Sequence, residues 1–293
     1  MLKITGLSHT YPNGTAALDA VNLDVPRGVY GLLGPNGSGK STLMRCLATL
    51  QIPTRGSIHF GAVDVLAEPQ KLRRVLGYLP QDFGVYPNVS AQDLLDHLAM
   101  LKGVATRADR RQTVERLLTQ VNLWDVRRQA VAGFSGGMRQ RFGIAQALIG
   151  NPELVIVDEP TAGLDPEERN RFKDLLAEIG ENVVVILSTH IVDDVSDLCG
   201  RMAIIGRGRI VREGVPQDLL RELHGRIFRR AVAKPELEDV RAQQCVISTR
   251  LRAGRTVVHV LAEQSPGAEF EAVAPELEDV YFAMLRTHAP GAV

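Results

Sequence analysis

The sequence is poor in cysteine, has no excess of either charge and contains no long apolar run. Its three cysteines, Cys46, Cys199 and Cys245, are far apart and form no Cys-x-x-Cys pair. Ordinary packing in a reducing compartment is therefore their expected role. Lys and Arg total 34, as do Asp and Glu, which gives a formal net charge of zero. A neutral chain argues against a nucleic-acid binder that depends on neutralising phosphates.

Two further absences concern the membrane. No apolar stretch approaches the roughly 20 residues that a membrane-spanning helix needs. The first residues, Met-Leu-Lys-Ile-Thr-Gly, lack the apolar segment of a secretory signal peptide. Hydrophobic residues nevertheless make up 45% of the 293 residues, enough for a sizeable core. We expect a folded cytoplasmic protein with no membrane span of its own.

What the sequence does contain is a glycine-rich loop between a strand pattern and a helix pattern. Residues 34–42 match the phosphate-binding motif G-x-x-x-x-G-K-[ST], in the strand-loop-helix context that the motif requires. Glycines let backbone N–H groups surround a polyphosphate, and the helix start adds partial positive charge. Lys40 is expected along the outer phosphates and Ser41 on Mg²⁺. The predicted nucleoside triphosphate site comprises Gly34, Pro35, Asn36, Gly37, Ser38, Gly39, Lys40, Ser41 and Thr42.

Two carboxylates and a histidine follow other buried-strand patterns. Asp158 and Glu159 come directly after the apolar run at 154–157, and His190 leaves the run at 183–187. Adjacent side chains at a strand end point to opposite sides, so the carboxylates can have different roles. Asp158 would reach Mg²⁺ through water, and Glu159 would polarise an attacking water. For His190 a structural role and a catalytic one are both open.

A second candidate anion site lies at Ser135-Gly136-Gly137, at the start of a helix pattern. Ser135 is a good N-cap, and the two glycines leave the helix N-terminus bare. Folding alone does not explain those glycines, since each costs about 0.5–1 kcal/mol relative to Ala inside a helix. The alternative is a loop that merely happens to be glycine-rich.

Tyr11 and Gln81 can each be explained by an ordinary structural role as well as by a role in nucleotide binding. Tyr11 precedes a Pro-Asn-Gly turn, where an aromatic can simply cover a strand edge or can stack on an adenine. Gln81 follows a strand pattern and matters only if that strand neighbours the phosphate loop.

The patterns predict an α/β protein with a mixed sheet, an antiparallel β layer over residues 2–30 and a helical subdomain at about 87–150. The sequence pattern changes near Gly225 to short strand and helix segments. We therefore predict domains at 1–224 and 225–293, and we expect the second to be a small α+β unit. Pro-Glu-Leu-Glu-Asp-Val occurs twice there, at 235–240 and 275–280. The two copies are either a loose internal repeat or a coincidence. Arginines cluster in this region among acidic residues, which favours a solvated face over a nucleic-acid patch.

In combination, the ordered motifs over residues 1 to about 220 resemble the nucleotide-binding subunit of ATP-binding cassette transporters, a P-loop NTPase fold. The resemblance implies that Tyr11 stacks on adenine, that Gln81 senses the γ-phosphate and Mg²⁺, and that Ser135-Gly136-Gly137 is the signature loop. It also implies that Asp158 is the metal-side acid, that Glu159 is the catalytic carboxylate and that His190 is the switch histidine. These assignments imply ATP and Mg²⁺ as the cofactors.

The resemblance also suggests partners. Residues 162–165 would cross an interface between two copies, and Ser135 of one copy would close the ATP held by Lys40 of the other. The loop at 82–86 would contact a separate membrane permease. Met138 in the signature and the closing phrase from Pro275 are similar to a drug- and antibiotic-export branch. An importer subunit, a cassette ATPase acting on DNA or ribosomes, and a regulator that does not hydrolyse ATP are the alternatives.

Overall fold

The computed structural model of the protein describes residues 1–84 and 86–287. The strands are β1 (Leu2–Thr10), β2 (Ala16–Val25), β3 (Gly28–Leu33), β4 (Arg55–Phe60), β5 (Val63–Asp64), β6 (Leu76–Leu79), β7 (Leu154–Asp158), β8 (Val184–Thr189), β9 (Arg201–Gly206), β10 (Arg209–Gly214), β11 (Ile227–Val232), β12 (Val246–Arg252), β13 (Arg255–Leu261) and β14 (Glu271–Ala272). The helices are α1 (Lys40–Leu47), α2 (Pro69–Val75), α3 (Ala91–Leu101), α4 (Arg107–Gln120), α5 (Gly136–Ala147), α6 (Pro166–Gly180), α7 (Val192–Leu198), α8 (Pro216–Glu222), α9 (Leu237–Gln243) and α10 (Leu277–Thr287).

A six-stranded sheet in the order β10-β9-β3-β8-β7-β6 forms the centre of the molecule. Its strands are parallel except for β10, which pairs antiparallel with β9. Because both faces are covered, the inner strands are continuous apolar runs. Since parallel strands end at one edge, the residues that follow β3, β7 and β8 come together there. The prediction that residues 28–30 belong to an antiparallel layer is therefore wrong.

An antiparallel sheet, β2-β1-β4-β5, covers one face of the central sheet. Between the two sheets α1 packs against alternate residues of the central strands, including Ile156 and Ile186. Their neighbours in sequence, Val155, Val157 and Val185, face the opposite core, which also contains residues of α3 to α8 and α10. This period of two decides which way each side chain points at the strand ends.

The helical region contains three capped helices in sequence. Ser90, Thr106 and Ser135 begin α3, α4 and α5, and each hydroxyl accepts the backbone N–H three residues later. The last of them, α5, packs closely on β6. A Cβ on Gly77 would lie 2.1 Å from the Ala147 carbonyl, and one on Gly143 would lie 2.5 Å from Leu79. The N-terminus of α5 therefore extends past the carboxyl end of β6.

The chain after residue 225 forms a second, four-stranded antiparallel sheet, β12-β13-β11-β14. The two copies of the repeated phrase both begin helices, α9 and α10. However, α10 packs on α7, α8 and β9, so Leu277, Val280 and Tyr281 join the main core. The domain boundary near residue 225 stays a prediction, and the accessory unit is anchored on the rest of the chain by α10.

The repeat offers a matched stability test. Asp279 is fully buried and accepts hydrogen bonds from His259 Nδ1 and the Glu276 N–H, both within 2.9 Å. Its counterpart Asp239 is exposed. Asp279→Ala should lower the free energy of unfolding by about 3 kcal/mol, since a buried donor and a helix start lose their acceptor. Asp239→Ala should change it by less than about 0.5 kcal/mol. Urea unfolding of both variants checks this, and equal losses would contradict it.

Candidate active site

The loop at 34–39 joins β3 to α1 at the carboxyl edge of the central sheet, and its fixed glycines are required by space. A Cβ on Gly34 would lie 2.5 Å from the Ile205 carbonyl oxygen, and one on Gly39 would lie 2.4 Å from that of Ala17. Gly39 also has φ of +105°, a value that favours glycine. Close packing against the Ile205 and Ala17 carbonyls therefore requires glycine at both positions.

Polar groups of this loop suit an anion. Lys40 is only 4% exposed, and its Nζ donates to the carbonyls of Gly34 at 2.8 Å and Pro35 at 3.2 Å. The hydroxyl of Ser38 is buried and, among the described residues, has no hydrogen-bond partner. No side chain caps α1, and its first turn holds no acidic residue. An ammonium, a free hydroxyl and a bare helix start converge here, which fits a polyphosphate.

Glu159 lies between Lys40 and His190, which belong to separate motifs of the sequence. Its Oε1 is 3.2 Å from Nζ of Lys40, and its Oε2 is 2.8 Å from Nδ1 of His190. The carboxylate is buried, whereas the His190 side chain is exposed. The backbone of Glu159 has φ of +48°, and its N–H donates to the Ser188 carbonyl. The structure thus brings Lys40, Glu159 and His190 into one site.

Asp158 points to the opposite face, as expected. Its Oδ1 accepts a 2.6 Å hydrogen bond from the Ser188 hydroxyl in the buried interior. Asp158 follows Val157, which faces the other core, so strand alternation directs its side chain toward the α1 side of the sheet, where Tyr78 also packs. Burial, with a contribution from the Asp158 charge, raises the pKa of Tyr78. Ser41 on α1 is half-buried. Hydroxyl and carboxylate oxygens are ligands that Mg²⁺ accepts, so this donor set fits the ion.

The remaining predicted residues lie around this centre. The Tyr11 hydroxyl is 3.0 Å from the Thr42 hydroxyl, so its ring is held beside α1. Gln81 is exposed, two residues after β6. Within the sheet β6 neighbours β7, and β7 and β8 separate it from β3. The strand of Gln81 therefore does not neighbour the phosphate-loop strand, and its role as a sensor remains a prediction.

The second glycine-rich segment is a helix start. The exposed Ser135 caps α5 through a 3.2 Å hydrogen bond from the Met138 N–H. A Cβ on Gly137 would lie 2.5 Å from the carboxylate of Glu168 on α6, so the Glu168 side chain would have to move to accommodate it. The interpretation of the two glycines as part of an anion site stays a prediction. Gly136 has open space around it and is exposed.

Sequence reasoning missed the residues behind the site. Asp194 on α7 is buried and accepts a hydrogen bond from Thr161, two residues after Glu159. Nothing in the local pattern marks Asp194, because it stands among other acidic residues at the start of a short helix. Thr161 follows a proline in a loop and carries no motif of its own.

This strand-loop-helix unit lies in a largely parallel sheet, with carboxylates at the end of β7, one strand beyond the neighbouring β8. The combination defines a P-loop nucleoside triphosphatase. The model of the ABC transporter family matches residues 18–162. Over 230 residues, 78% of this chain and 69% of the relative, the chain is 37% identical to the daunorubicin/doxorubicin resistance ATP-binding protein DrrA of Streptomyces peucetius. Over 268 residues, 87% of this chain and 77% of the relative, it is 33% identical to the methionine import ATP-binding protein MetN 1 of Burkholderia ambifaria.

Solved structures of ABC transporter cassettes also match this chain. A dimeric structure of MJ0796, described as a bacterial ABC transporter cassette, matches with a TM-score of 0.68 and 28% identity over 73% of this chain and 98% of that one. A post-hydrolysis dimer of the same cassette holds ADP and phosphate. The chain therefore belongs to the ABC transporter family. It is an ATPase, the nucleotide-binding subunit of a transporter.

Proposed function

We propose that two copies of this chain close on ATP, hydrolyse it and so power a separate membrane-spanning exporter. The proposal that the chain hydrolyses ATP through Glu159 rests on the position of that residue. Its carboxylate is held between Lys40 and His190 beside the phosphate loop. A carboxylate there can accept a proton from water as the water attacks the γ-phosphorus. The bond to the β-phosphate oxygen breaks, and ADP and phosphate leave.

The other residues of the site bind and orient. Lys40 and the N–H groups of the loop hold the outer phosphates, Tyr11 stacks on the adenine and His190 contacts the γ-phosphate. Ser41 and Asp158 would hold Mg²⁺, which would neutralise charge on the phosphates. Gln81 would have to reach the ion from the end of β6, two strands beyond the strands next to the phosphate loop, and it is assigned there on the family resemblance. The other residues of the proposed phosphate-binding loop are Gly34, Pro35, Asn36, Gly37, Ser38, Gly39 and Thr42.

The distance between the two anion sites supports dimerisation. Ser135 begins α5, which packs on β6, three strand spacings or about 14 Å from β3. Ser135 also lies eight residues before Gly143, which adds about 12 Å along the helix. A helix start placed there cannot fold back onto its own phosphate loop. A head-to-tail dimer would bring Ser135 and Gly136 of one copy onto the ATP of the other.

A separate membrane subunit is the partner that we propose for this chain. Among residues 1–84 and 86–287, no helix is long and apolar enough to cross a bilayer. We place the chain on the cytoplasmic face of the membrane, bound to a permease subunit through the loop at 82–86. Tyr86 in that loop is exposed, whereas Val85 lies outside the described residues. The similarity to DrrA supports export of a drug-like cargo, and the similarity to MetN 1 keeps import as the alternative.

Transport direction can be measured directly. The chain is reconstituted with the membrane protein encoded beside its gene, in vesicles with the chain on the outside. We expect ATP to drive doxorubicin from the chain's side into the lumen, and Glu159→Gln to abolish that movement. ATP-driven movement of a preloaded cargo out of the lumen would support import instead. An ATPase that binds no membrane protein would contradict both.

A further inference from the structure

A fully buried carboxylate lies behind two loops of the site. The Oδ2 of Asp194 accepts a hydrogen bond from the Thr161 hydroxyl at 2.5 Å and lies 3.5 Å from the Thr189 hydroxyl. Its Oδ1 accepts from Arg169 Nε at 2.7 Å and is 3.6 Å from Lys173 Nζ. Both cations belong to α6, so one side chain of α7 contacts α6 and both loops. The network offsets the cost of burying this charge.

The two threonines lie next to the reacting groups of the proposed site. Thr161 is two residues after Glu159, and Thr189 immediately precedes His190. Glu159 has φ of +48°, a conformation that persists only where its surroundings hold it. On one side its N–H is bound to the Ser188 carbonyl, and on the other Thr161 is bound to Asp194. Both hydrogen bonds therefore connect the loop that carries Glu159 to the segment that carries His190, the second of them through Asp194.

We propose that Asp194 is a positioning residue of the ATPase reaction, which fixes Glu159 relative to His190 through Thr161 and Thr189. This inference rests on the proposed catalytic role of Glu159. Stability alone is a poor explanation for the arrangement, because a buried ion pair often contributes no more than apolar residues of similar volume. A satisfied polar network supplies a single geometry instead, and a displacement of about 1 Å can cost on the order of a hundredfold in rate.

Thr161 allows the hydroxyl and the methyl to be tested separately. Thr161→Val keeps the volume and removes the donor, so we expect kcat to fall about 10- to 100-fold. ATP affinity, measured by equilibrium binding of a fluorescent ATP analogue, should stay within about twofold, since the described hydrogen bonds of Thr161 go to Asp194 and Leu164 and not to the phosphate loop. Thr161→Ser loses the methyl but keeps the hydroxyl, so it should retain most of kcat. If Thr161 served only to pack its methyl group, Thr161→Ser would lose more of kcat than Thr161→Val.

Asp194→Asn should reproduce the loss of kcat, and Asp197→Asn is its matched control. Asp197 pairs with the same Lys173 but is largely exposed, so its variant should hydrolyse ATP at the wild-type rate. If Asp194→Asn does not fold, the kcat values of the two Thr161 variants test the positioning role by themselves. A kcat for Thr161→Val within about twofold of wild type, or an equal loss in Thr161→Ser, would overturn the proposal. Glu159→Gln runs in parallel: full activity in that variant refutes the catalytic assignment, whereas its inactivity beside an active Thr161→Val refutes only this inference.

Discussion

Glu159→Gln should lower the rate of ATP hydrolysis by about 10²- to 10⁴-fold while leaving ATP bound. The amide has the size of the carboxylate but cannot accept a proton from the attacking water. It also removes a negative charge 3.2 Å from Lys40 Nζ, so the ammonium is freer to bind phosphate. Dimers that close on ATP should therefore persist, and a stable dimer should appear by size-exclusion chromatography with light scattering.

The matched control is Glu167→Gln on the neighbouring helix α6. Glu167 is 76% exposed and pairs only with the surface Arg171 in the described contacts, so its loss should leave turnover unchanged. Phosphate release is measured for both variants at saturating ATP. Wild-type turnover by the Glu159 variant would refute the catalytic role assigned to that carboxylate.

Ser135→Arg should abolish ATP-dependent dimerisation and turnover but leave ATP binding to the monomer intact. The arginine would stand at the open N-terminus of α5, beside Gly136, where the second copy is expected to place its ATP. Its bulk would prevent closure, and the loss of the cap would cost about 1 kcal/mol of stability. Because the phosphate loop of the same chain is untouched, nucleotide affinity should change by less than about twofold.

Thr106→Arg controls for the cap and the added bulk. Thr106 is exposed and caps α4 through the Asp109 N–H in the same way as Ser135 caps α5. That variant should lose similar stability but dimerise on ATP normally. An unchanged ATP-dependent dimer of Ser135→Arg, measured by light scattering, would contradict the shared site.

Local patterns predict the parts of this fold in which one segment determines its own structure. The phosphate loop needs its glycines at fixed spacing, the caps at Ser90 and Ser135 stand three residues before their donors, and the runs at 154–157 and 183–187 are buried strands. The comparisons confirm the P-loop fold and the family that these motifs indicate.

What the sequence could not supply depends on contacts between distant segments. Gly137 lies against the Glu168 side chain of α6, and no local pattern contains that neighbour. The left-handed backbone of Glu159 depends on Ser188 and, through Thr161, on Asp194. The placement of α10 on α7 and α8 likewise results from tertiary packing rather than from the repeated phrase at its start. Each of these features arises from parts of the chain that meet only after folding.

Mixing two inactive variants tests the shared site most directly. Lys40→Ala lacks the phosphate-binding ammonium, and Ser135→Arg lacks the helix start that closes the other copy's site. In a mixed dimer, one of the two sites combines an intact Lys40 with an intact Ser135. The arginine faces the other site, which belongs to the Lys40→Ala copy and holds no ATP for it to clash with, so the mixed dimer can close. An equimolar mixture should hydrolyse ATP at roughly a quarter of the wild-type rate, since half of the dimers are mixed and each has one complete site. A rate no higher than the mean of the separate variants would contradict the account that each ATP is bound between two copies.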